Sequence, residues 1–110
     1  MIYSTAVVAL FTDLPEPELH AWIARGWVRP EQEASGDWVF ADIDIARIRL
    51  VHDLRRQLDI DEETLPVVLS LVDQVYDLRR ALRTVMDAIE SQPDPVRAAV
   101  RSLVSDLARD

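Results

Sequence analysis

The chain has 110 residues, and about half of them are apolar, which suits one compact domain with a helical extension. It has no cysteine, which excludes disulfides and thiolate metal sites. It also lacks a basic N-terminal leader and the roughly 18-residue apolar run of a membrane span. We therefore expect a cytoplasmic protein that contacts no membrane. Its formal net charge is −8, and residues 1–46 hold eight acids against two arginines, which argues against binding to the phosphate backbone of DNA.

Two short helices open the chain. Ser4 is placed to cap a helix that continues to about residue 11. Pro15 begins a second helix, and Glu16 and Glu18 lie at the positive end of its dipole. Gly26 is placed to end that helix. Two short helices joined by about four residues have the dimensions of a helix-turn-helix.

A two-stranded hairpin follows the second helix. Residues 27–30 and 37–40 are predicted as its strands, and the polar residues between them as its turn. Trp27 and Trp38 are expected to face each other across the strands. This pair either packs the hairpin on the core or exposes one ring as an anchor for a binding partner. Trp22, on the second helix, is expected at the edge of the core.

A third helix is predicted from Asp42 to about residue 58, and the acidic segment 59–61 interrupts the chain after it. We therefore divide the chain into a head, residues 1–60, and a helical region, residues 61–110. The expected buried residues of the third helix are Ile45, Ile48, Leu50, Val51, Leu54 and Leu58.

The helix that begins at Asp61 or Thr64 carries the most regular apolar pattern. Apolar residues recur at alternating steps of three and four over three heptads, which is typical of a helix that packs against another along its length. The final helix, after Pro95, has about 13 residues and covers only part of this seam. We therefore favour pairing with a second copy over closure within the chain, and predict a homodimer. The dimerisation residues are Val68, Leu71, Val75, Leu78, Leu82, Val85 and Ile89.

Catalytic and metal-binding patterns have little support in this sequence. His20 and His52 lie far apart and are interpreted as surface or interface side chains rather than catalytic groups. The carboxylates at 42 and 44 and at 59–63 each begin a predicted helix, so dipole capping explains them without a metal ion. There is no glycine-rich phosphate loop and no metal-ligand spacing. We expect no enzyme activity, no metal and no cofactor.

Two stretches carry a family resemblance: L-H-A-W-I-A-R-G-W-V-R-P, followed by G-D-W-V-F-A-D-I-D-I-A-R-I. With the order of the predicted elements, they resemble the winged helix-turn-helix head of the MerR superfamily. The resemblance implies a mainly α fold: a head with a short two-stranded wing, then a long dimerisation helix and a C-terminal helix. Within the superfamily the chain is similar to the chaperone-modulator branch, the CbpM family. The matching residues are Trp38, Val39, Phe40, Asp42, Leu54, Arg55, Leu58, Ile60, Val67, Leu69, Leu71 and Asp73.

Two differences from DNA-binding MerR proteins determine which function we expect. His20 to Ile23 stand where such proteins carry aromatic and basic recognition residues, and Trp38 stands where the wing carries an arginine. The CbpM resemblance implies that the chain binds and restrains the J-domain of a DnaJ-like co-chaperone, and the acidic head suits such a basic helical partner. From charge and expected exposure we choose as partner-binding residues Asp13, Glu16, Glu18, Trp22, Trp27, Trp38, Asp42 and Asp44.

The alternative is a MerR-type transcriptional regulator that binds duplex DNA. It requires that Arg25, Arg29, Arg47 and Arg49 converge on one face and contact phosphates. A small-molecule sensor is a third and weaker alternative, because the sequence defines no ligand pocket.

Overall fold

The computed structural model describes residues 2–109, and over that range the chain is mainly helical, as expected. Five helices and three short strands occur among these residues. The chain consists of two compact units, residues 1–69 and residues 70–110. The elements are β1 (Ile2–Tyr3), α1 (Ser4–Val8), α2 (Glu16–Ala24), β2 (Glu31–Gln32), β3 (Trp38–Phe40), α3 (Asp42–Arg56), α4 (Leu65–Glu90) and α5 (Asp94–Ala108).

The first helix, α1, differs from the prediction at both ends. Tyr3, not Ser4, occupies the cap position, in an extended conformation that continues β1. Ser4 is the first helical residue and is buried, with its Oγ 3.4 Å from Nε2 of His20. The prediction that Ser4 caps the helix is therefore wrong, because its hydroxyl faces a neighbouring helix. The helix ends at Val8, after which the chain continues in turns.

Gly26 ends α2 as predicted. Its φ is 77°, its N–H donates to the carbonyl of Ile23 at 3.0 Å, and the N–H of Trp27 donates to the carbonyl of Trp22 at 3.0 Å. These two bonds form a Schellman motif, which uses carbonyls that the helix end leaves without partners. The left-handed backbone at this position explains why glycine is required there.

Replacing Gly26 by alanine is expected to lower the free energy of unfolding by about 1–2 kcal/mol, because a Cβ disfavours the left-handed conformation. The new Cβ would lie 3.9 Å from the Arg29 side chain, which is an ordinary contact, so backbone strain and not collision causes the loss. Denaturant unfolding measures this effect. The control is Gly26→Asn, since asparagine tolerates positive φ better; equal losses for both variants would contradict the explanation.

The three strands form one antiparallel sheet in the order β1-β3-β2. β3 pairs with β2 through Glu31–Val39 and Gln32–Trp38, and with β1 through Ile2–Phe40 and Tyr3–Val39. An antiparallel hairpin is thus present in the predicted region, and β1 is an element that the sequence analysis did not identify.

The first strand of the hairpin begins four residues later than predicted. Residues 27–30 are not extended strand, and Gln32, not Trp27, lies opposite Trp38. Trp27 instead belongs to the turn that ends α2, because its N–H donates to the Trp22 carbonyl at 3.0 Å. Pro30 also lacks the N–H that a ladder needs, so pairing begins only after it. The predicted Trp27–Trp38 pair across the strands is therefore wrong.

Helix α3 begins at Asp42, as predicted, with Ala41 at its cap position. The Asp44 carboxylate accepts a hydrogen bond from the Ala41 N–H at 2.8 Å and so satisfies an amide at the helix start. Ile48, Val51 and Leu54 are buried, as predicted.

At the C-terminal end of α3, the prediction that Leu58 is buried is wrong. Leu58 is 65% exposed, because the helix ends at Arg56 and Asp59 has a φ of 52°, which changes the direction of the chain. The N–H of Ile60 then donates to the carbonyl of Leu54 at 2.9 Å. Leu58 lies on the turn, outside the apolar face of α3.

Side chains from the helices, from the sheet and from the first turns of α4 form the core of the first unit. The Asp61 carboxylate accepts a hydrogen bond from the Thr64 N–H at 2.7 Å just before α4 begins, and its hydrogen bonds with Thr64 lower the pKa of Asp61. The first turns of α4 then contribute Leu65 and Leu69. The buried cluster is Val7, Leu14, Leu19, Trp22, Trp27, Val28, Phe40, Ile48, Val51, Leu54, Leu65 and Leu69.

The second unit has no comparable core. None of residues 70–109 is buried, and the half-buried ones are Val72, Ile89, Arg97 and Val100. The predicted seam residues from Leu71 to Val85 are exposed, whereas Val68 packs against the core of the first unit. Within residues 2–109 no helix is both long and apolar enough to cross a lipid bilayer.

Candidate functional site

A groove of about 410 Å³ lies between the start of α2 and the turn of the β2–β3 hairpin. β1 and α1 complete its wall. Its lining residues include two carboxylates and the aromatic rings of a tyrosine and a tryptophan, and they include no arginine. The lining residues are Tyr3, Ser4, Thr5, Glu16, His20, Gly36, Asp37 and Trp38.

The hairpin turn holds the acidic side of the groove in place. Gly36, with a φ of 91°, donates its N–H to the Glu33 carbonyl at 2.9 Å, and the Glu33 N–H donates to the Asp37 carbonyl at 2.9 Å. The Ser35 hydroxyl donates to the Asp37 carboxylate at 3.2 Å. This turn therefore orients Asp37 beside Trp38, whose ring is half-buried.

A third carboxylate, that of Glu33, is hydrogen-bonded to Tyr3, which lines the groove. The Tyr3 hydroxyl donates to Glu33, with its oxygen 3.0 Å from Oε1 and 3.2 Å from Oε2. This hydrogen bond, together with the charge of Glu33, raises the pKa of Tyr3. The fold thus stabilises the neutral phenol, and this stabilisation is present at neutral pH and lost as the pH rises through the folded-state pKa.

Glu33→Gln is expected to return the pKa of Tyr3 toward its ordinary value of about 10, because the amide carries no charge. Absorbance titration of tyrosinate measures it, in a Tyr76→Phe background so that Tyr3 alone is observed. The matched control is Glu31→Gln, which removes one charge from the exposed strand β2. An unchanged titration in Glu33→Gln would mean that the charge of Glu33 does not raise the pKa of Tyr3.

His20 closes the groove on the side of α2. Its Nε2 lies 3.8 Å from Oε1 of Glu16, one helical turn earlier, and 3.4 Å from Oγ of Ser4. The imidazole is therefore held between a carboxylate and a hydroxyl. Within residues 2–109 no group of three or more carboxylate, histidine or cysteine side chains has the geometry of a metal site.

The structure separates the predicted acidic residues into groups with different surroundings. Glu16 lines the groove. Asp13 and Glu18 instead converge on Arg56, whose Nη2 is 2.6 Å from Oε2 of Glu18 and whose Nε is 3.6 Å from Oδ2 of Asp13. Both are thus paired within the chain.

The two acidic residues at the start of α3 also differ from each other. Asp42 is exposed, whereas Asp44 is half-buried and accepts the Ala41 N–H. The structure therefore gives Asp44 a role at the helix start and leaves Asp42 accessible to solvent.

Two of the three tryptophans lie in the core, and the third lines the groove. Trp22 is 3% exposed and Trp27 is 7% exposed, and both belong to the core of the first unit. Trp38 is half-buried and lines the groove. Of the three predicted anchors, only Trp38 is positioned where a partner can contact its ring.

Three of the four arginines that DNA binding requires lie around the turn at Gly26 and Trp27. Nε of Arg29 donates to the Gly26 carbonyl at 3.2 Å, and Nε of Arg47 donates to the Trp27 carbonyl at 2.9 Å. Arg25 lies over the Trp27 ring, 5.1 Å from its centroid, and Nη1 of Arg25 is 2.9 Å from Oε2 of Glu62.

The fourth arginine lies elsewhere. Arg49 stacks over the Phe11 ring at 4.8 Å, and Phe11 in turn contacts His52, with ring centroids 5.5 Å apart. His52 also approaches the Thr12 carbonyl, with Nε2 2.7 Å from that oxygen. Of these four arginines, Arg25, Arg29 and Arg47 therefore gather at the C-terminal end of α2 and not at its N-terminal end, where the groove lies.

Sequence reasoning missed Tyr3, Glu33 and Asp37 as site residues. Tyr3 reaches the groove because β1 pairs with β3, a contact between residues about 37 positions apart in the sequence. A strand of two residues gives no alternation that could have revealed it. Glu33 and Asp37 were visible as charges of the hairpin turn, but their position relative to α2 depends on the tertiary structure.

Comparison of the chain with protein-family models, with curated proteins and with solved structures found no match in any of the three. The groove and its charges are therefore the basis for a functional assignment.

Proposed function

We propose that the chain is a cytoplasmic, non-enzymatic chaperone modulator that binds the J-domain of a DnaJ-like co-chaperone and restrains it. In this proposal residues 2–69 act as a MerR-like winged helix-turn-helix head, with α1 and α2 as the helix pair and the β2–β3 hairpin as the wing. One observation carries it: the groove between α2 and the hairpin joins Glu16, Asp37 and Trp38.

This combination of side chains suits a cationic ligand group. Carboxylates form strong charge-assisted hydrogen bonds with guanidinium and ammonium groups, and an aromatic face adds a cation–π contact. Trp38 supplies the ring, and Glu16 and Asp37 supply the charge. An arginine or lysine on a basic helix fits this chemistry, and the net charge of the head would speed its association.

The first turn of α2 supports a protein partner over DNA. In helix-turn-helix proteins the N-terminal residues of the second helix contact base edges in the major groove. Here that turn carries Glu16 and Glu18, and Asp13 shares the single guanidinium of Arg56 with Glu18. Three carboxylates thus outnumber one arginine, so phosphates would be repelled. The surface that would otherwise approach a duplex is thus anionic.

Calorimetric titration of the chain with an isolated J-domain tests the proposal. We expect saturable binding that weakens at high salt, and reduced stimulation of the Hsp70 ATPase by that J-domain. The control ligand is the same J-domain with the arginines and lysines of its basic helix replaced by glutamine. Equal binding of both ligands, or none of either, would refute the proposed recognition.

The second candidate, a MerR-type regulator that binds DNA, is favoured by one observation. Arg25, Arg29 and Arg47 surround the Gly26–Trp27 turn, so a basic patch exists at one end of α2. The Arg25–Glu62 ion pair offsets part of its charge. Fluorescence anisotropy with labelled duplex DNA distinguishes the two candidates: saturable, salt-sensitive binding that is lost on Arg29→Ala would favour the regulator.

A further inference from the structure

The aromatic rings outside the core differ in whether the chain itself supplies a cation to them. Arginines of the chain lie over the rings of Phe11 and Tyr76, at 4.8 Å and 6.0 Å from the ring centroids. Among residues 2–109 no arginine lies over Tyr3 or Trp38, the two aromatic residues of the groove. These two rings are therefore available to a cation from another molecule.

The two carboxylates of the groove also lack an arginine partner. In the part of the chain that the structure describes, the only ion pair of Glu16 is with His20, and Asp37 has none. Glu18, two residues after Glu16, is by contrast paired with Arg56. Of the residues that line the groove, His20 alone can become positively charged.

The imidazole of His20 is placed so that its charge acts directly on Glu16. Nε2 lies 3.8 Å from Oε1 of Glu16 and 3.4 Å from Oγ of Ser4. A neutral ring has one nitrogen that accepts and one that donates, whereas both nitrogens of the protonated ring donate. The side chains of His20 and Glu16 are 47% and 38% exposed, so protons from solution reach both. Protonation thus adds a donor and a positive charge beside the carboxylate.

We propose that protonated His20 competes with the cationic group of the partner for the groove, so that the groove binds its ligand well when His20 is neutral and poorly when it is charged. This inference rests on the proposed function, because it concerns the same groove and the same class of cationic ligand. The imidazolium neutralises one of the two carboxylates and repels an incoming guanidinium or ammonium group. Binding of the ligand and of the proton therefore oppose each other.

The other groups that face His20 do not change charge in the pH range where histidine does. Histidine ordinarily gains its proton between about pH 8 and 5, whereas exposed carboxyl groups do so near about pH 4. Asp37 on the hairpin and Glu33, which Tyr3 contacts, are the remaining anionic groups. The hydrogen bond from Tyr3 to Glu33 raises the pKa of Tyr3, so its phenol stays neutral. Ser4 and Thr5, on α1, carry no charge.

The test compares the affinity of the full chain for one ligand at about pH 8 and at about pH 5.5. The ligand is N-acetyl-arginine amide, and its binding is followed by NMR through the indole N–H of Trp38. We expect the wild-type affinity to fall about two- to fivefold at the lower pH, the effect of one exposed ion pair. His20→Gln, which is neutral throughout, should keep its affinity. His20→Arg, which is always cationic, should bind weakly at both pH values.

The matched control is His52→Gln, which removes the other histidine of the chain. His52 contacts Phe11 and the Thr12 carbonyl and does not line the groove. This variant is expected to keep the pH response of the wild type. The ligand is the same for every variant, so any difference between them comes from the chain. Thermal unfolding of each variant at both pH values checks that the fold is retained.

The amide decides this inference, and the J-domain decides the proposed function. An equal pH response of the wild type and His20→Gln toward the amide, or no response of Trp38 to it, would overturn the inference. The same titrations are repeated with an isolated J-domain, for which we expect the same order of affinities. A J-domain that binds at neither pH, while the amide shows the response that depends on His20, would refute the proposed function and leave this inference standing.

Discussion

Replacing Leu19 by alanine is expected to lower the free energy of unfolding of the first unit by about 2–5 kcal/mol. Leu19 lies on α2 and is 0% exposed, within the cluster that also holds Trp22 and Phe40. The substitution removes buried apolar area and leaves a cavity that the surrounding helices fill only in part. Chemical unfolding followed by tryptophan fluorescence measures the loss.

The matched control is Leu58→Ala. This substitution removes the same atoms from a side chain that is 65% exposed, on the turn after α3. Its effect is expected to be within about 0.5 kcal/mol, as for most surface changes. Similar losses for the two variants would mean that Leu58, and not only Leu19, belongs to the core.

Reversing two charges of the groove, with Glu16→Arg and Asp37→Arg together, is expected to slow association with the J-domain about tenfold or more, because it replaces an attractive field by a repulsive one. Both residues line the groove, and neither belongs to the buried core. Trp38→Ala, tested separately, should act mainly on dissociation, since it removes a contact surface without changing the charge. Stopped-flow or surface-based kinetics resolves the two rates.

The control for net charge is the double variant Glu63→Arg and Asp87→Arg. It changes the total charge of the chain by the same amount, and both of its residues are exposed and do not line the groove. If this control slows association as much as the groove variant does, the effect reflects the overall charge and the groove is not the contact surface. Circular dichroism of each variant checks that the helices are retained.

The end of α2 and the start of α3 were predictable because local chemistry determines them. Gly26 ends α2 through a left-handed backbone and two hydrogen bonds, and Pro93 lies at the cap position of α5, with Pro95 in its first turn. The start of α3 at Asp42 follows from acids placed at the positive end of its dipole. Each of these signals acts within a few residues, so a single sequence is sufficient to read it.

The sheet and the groove were only partly predictable because they depend on distant contacts. β1 has two residues and gains its structure from pairing with β3, far along the chain. The burial of Trp27 reflects the turn after α2, which overrides the strand propensity of Trp27 and Val28. Glu16 and Trp38 were chosen from the sequence, but their meeting with Tyr3 and Asp37 follows from the tertiary structure alone.

The two outer strands of the sheet are short, which lowers the risk of aggregation through strand pairing. β1 and β2 have two residues each, and β2 is followed by Glu33, so its open edge offers few free amides and places carboxylates beside them. Strands of a second molecule gain little by extending so short and charged an edge. Edges this short and this charged therefore disfavour edge-to-edge pairing of the first unit with a second molecule.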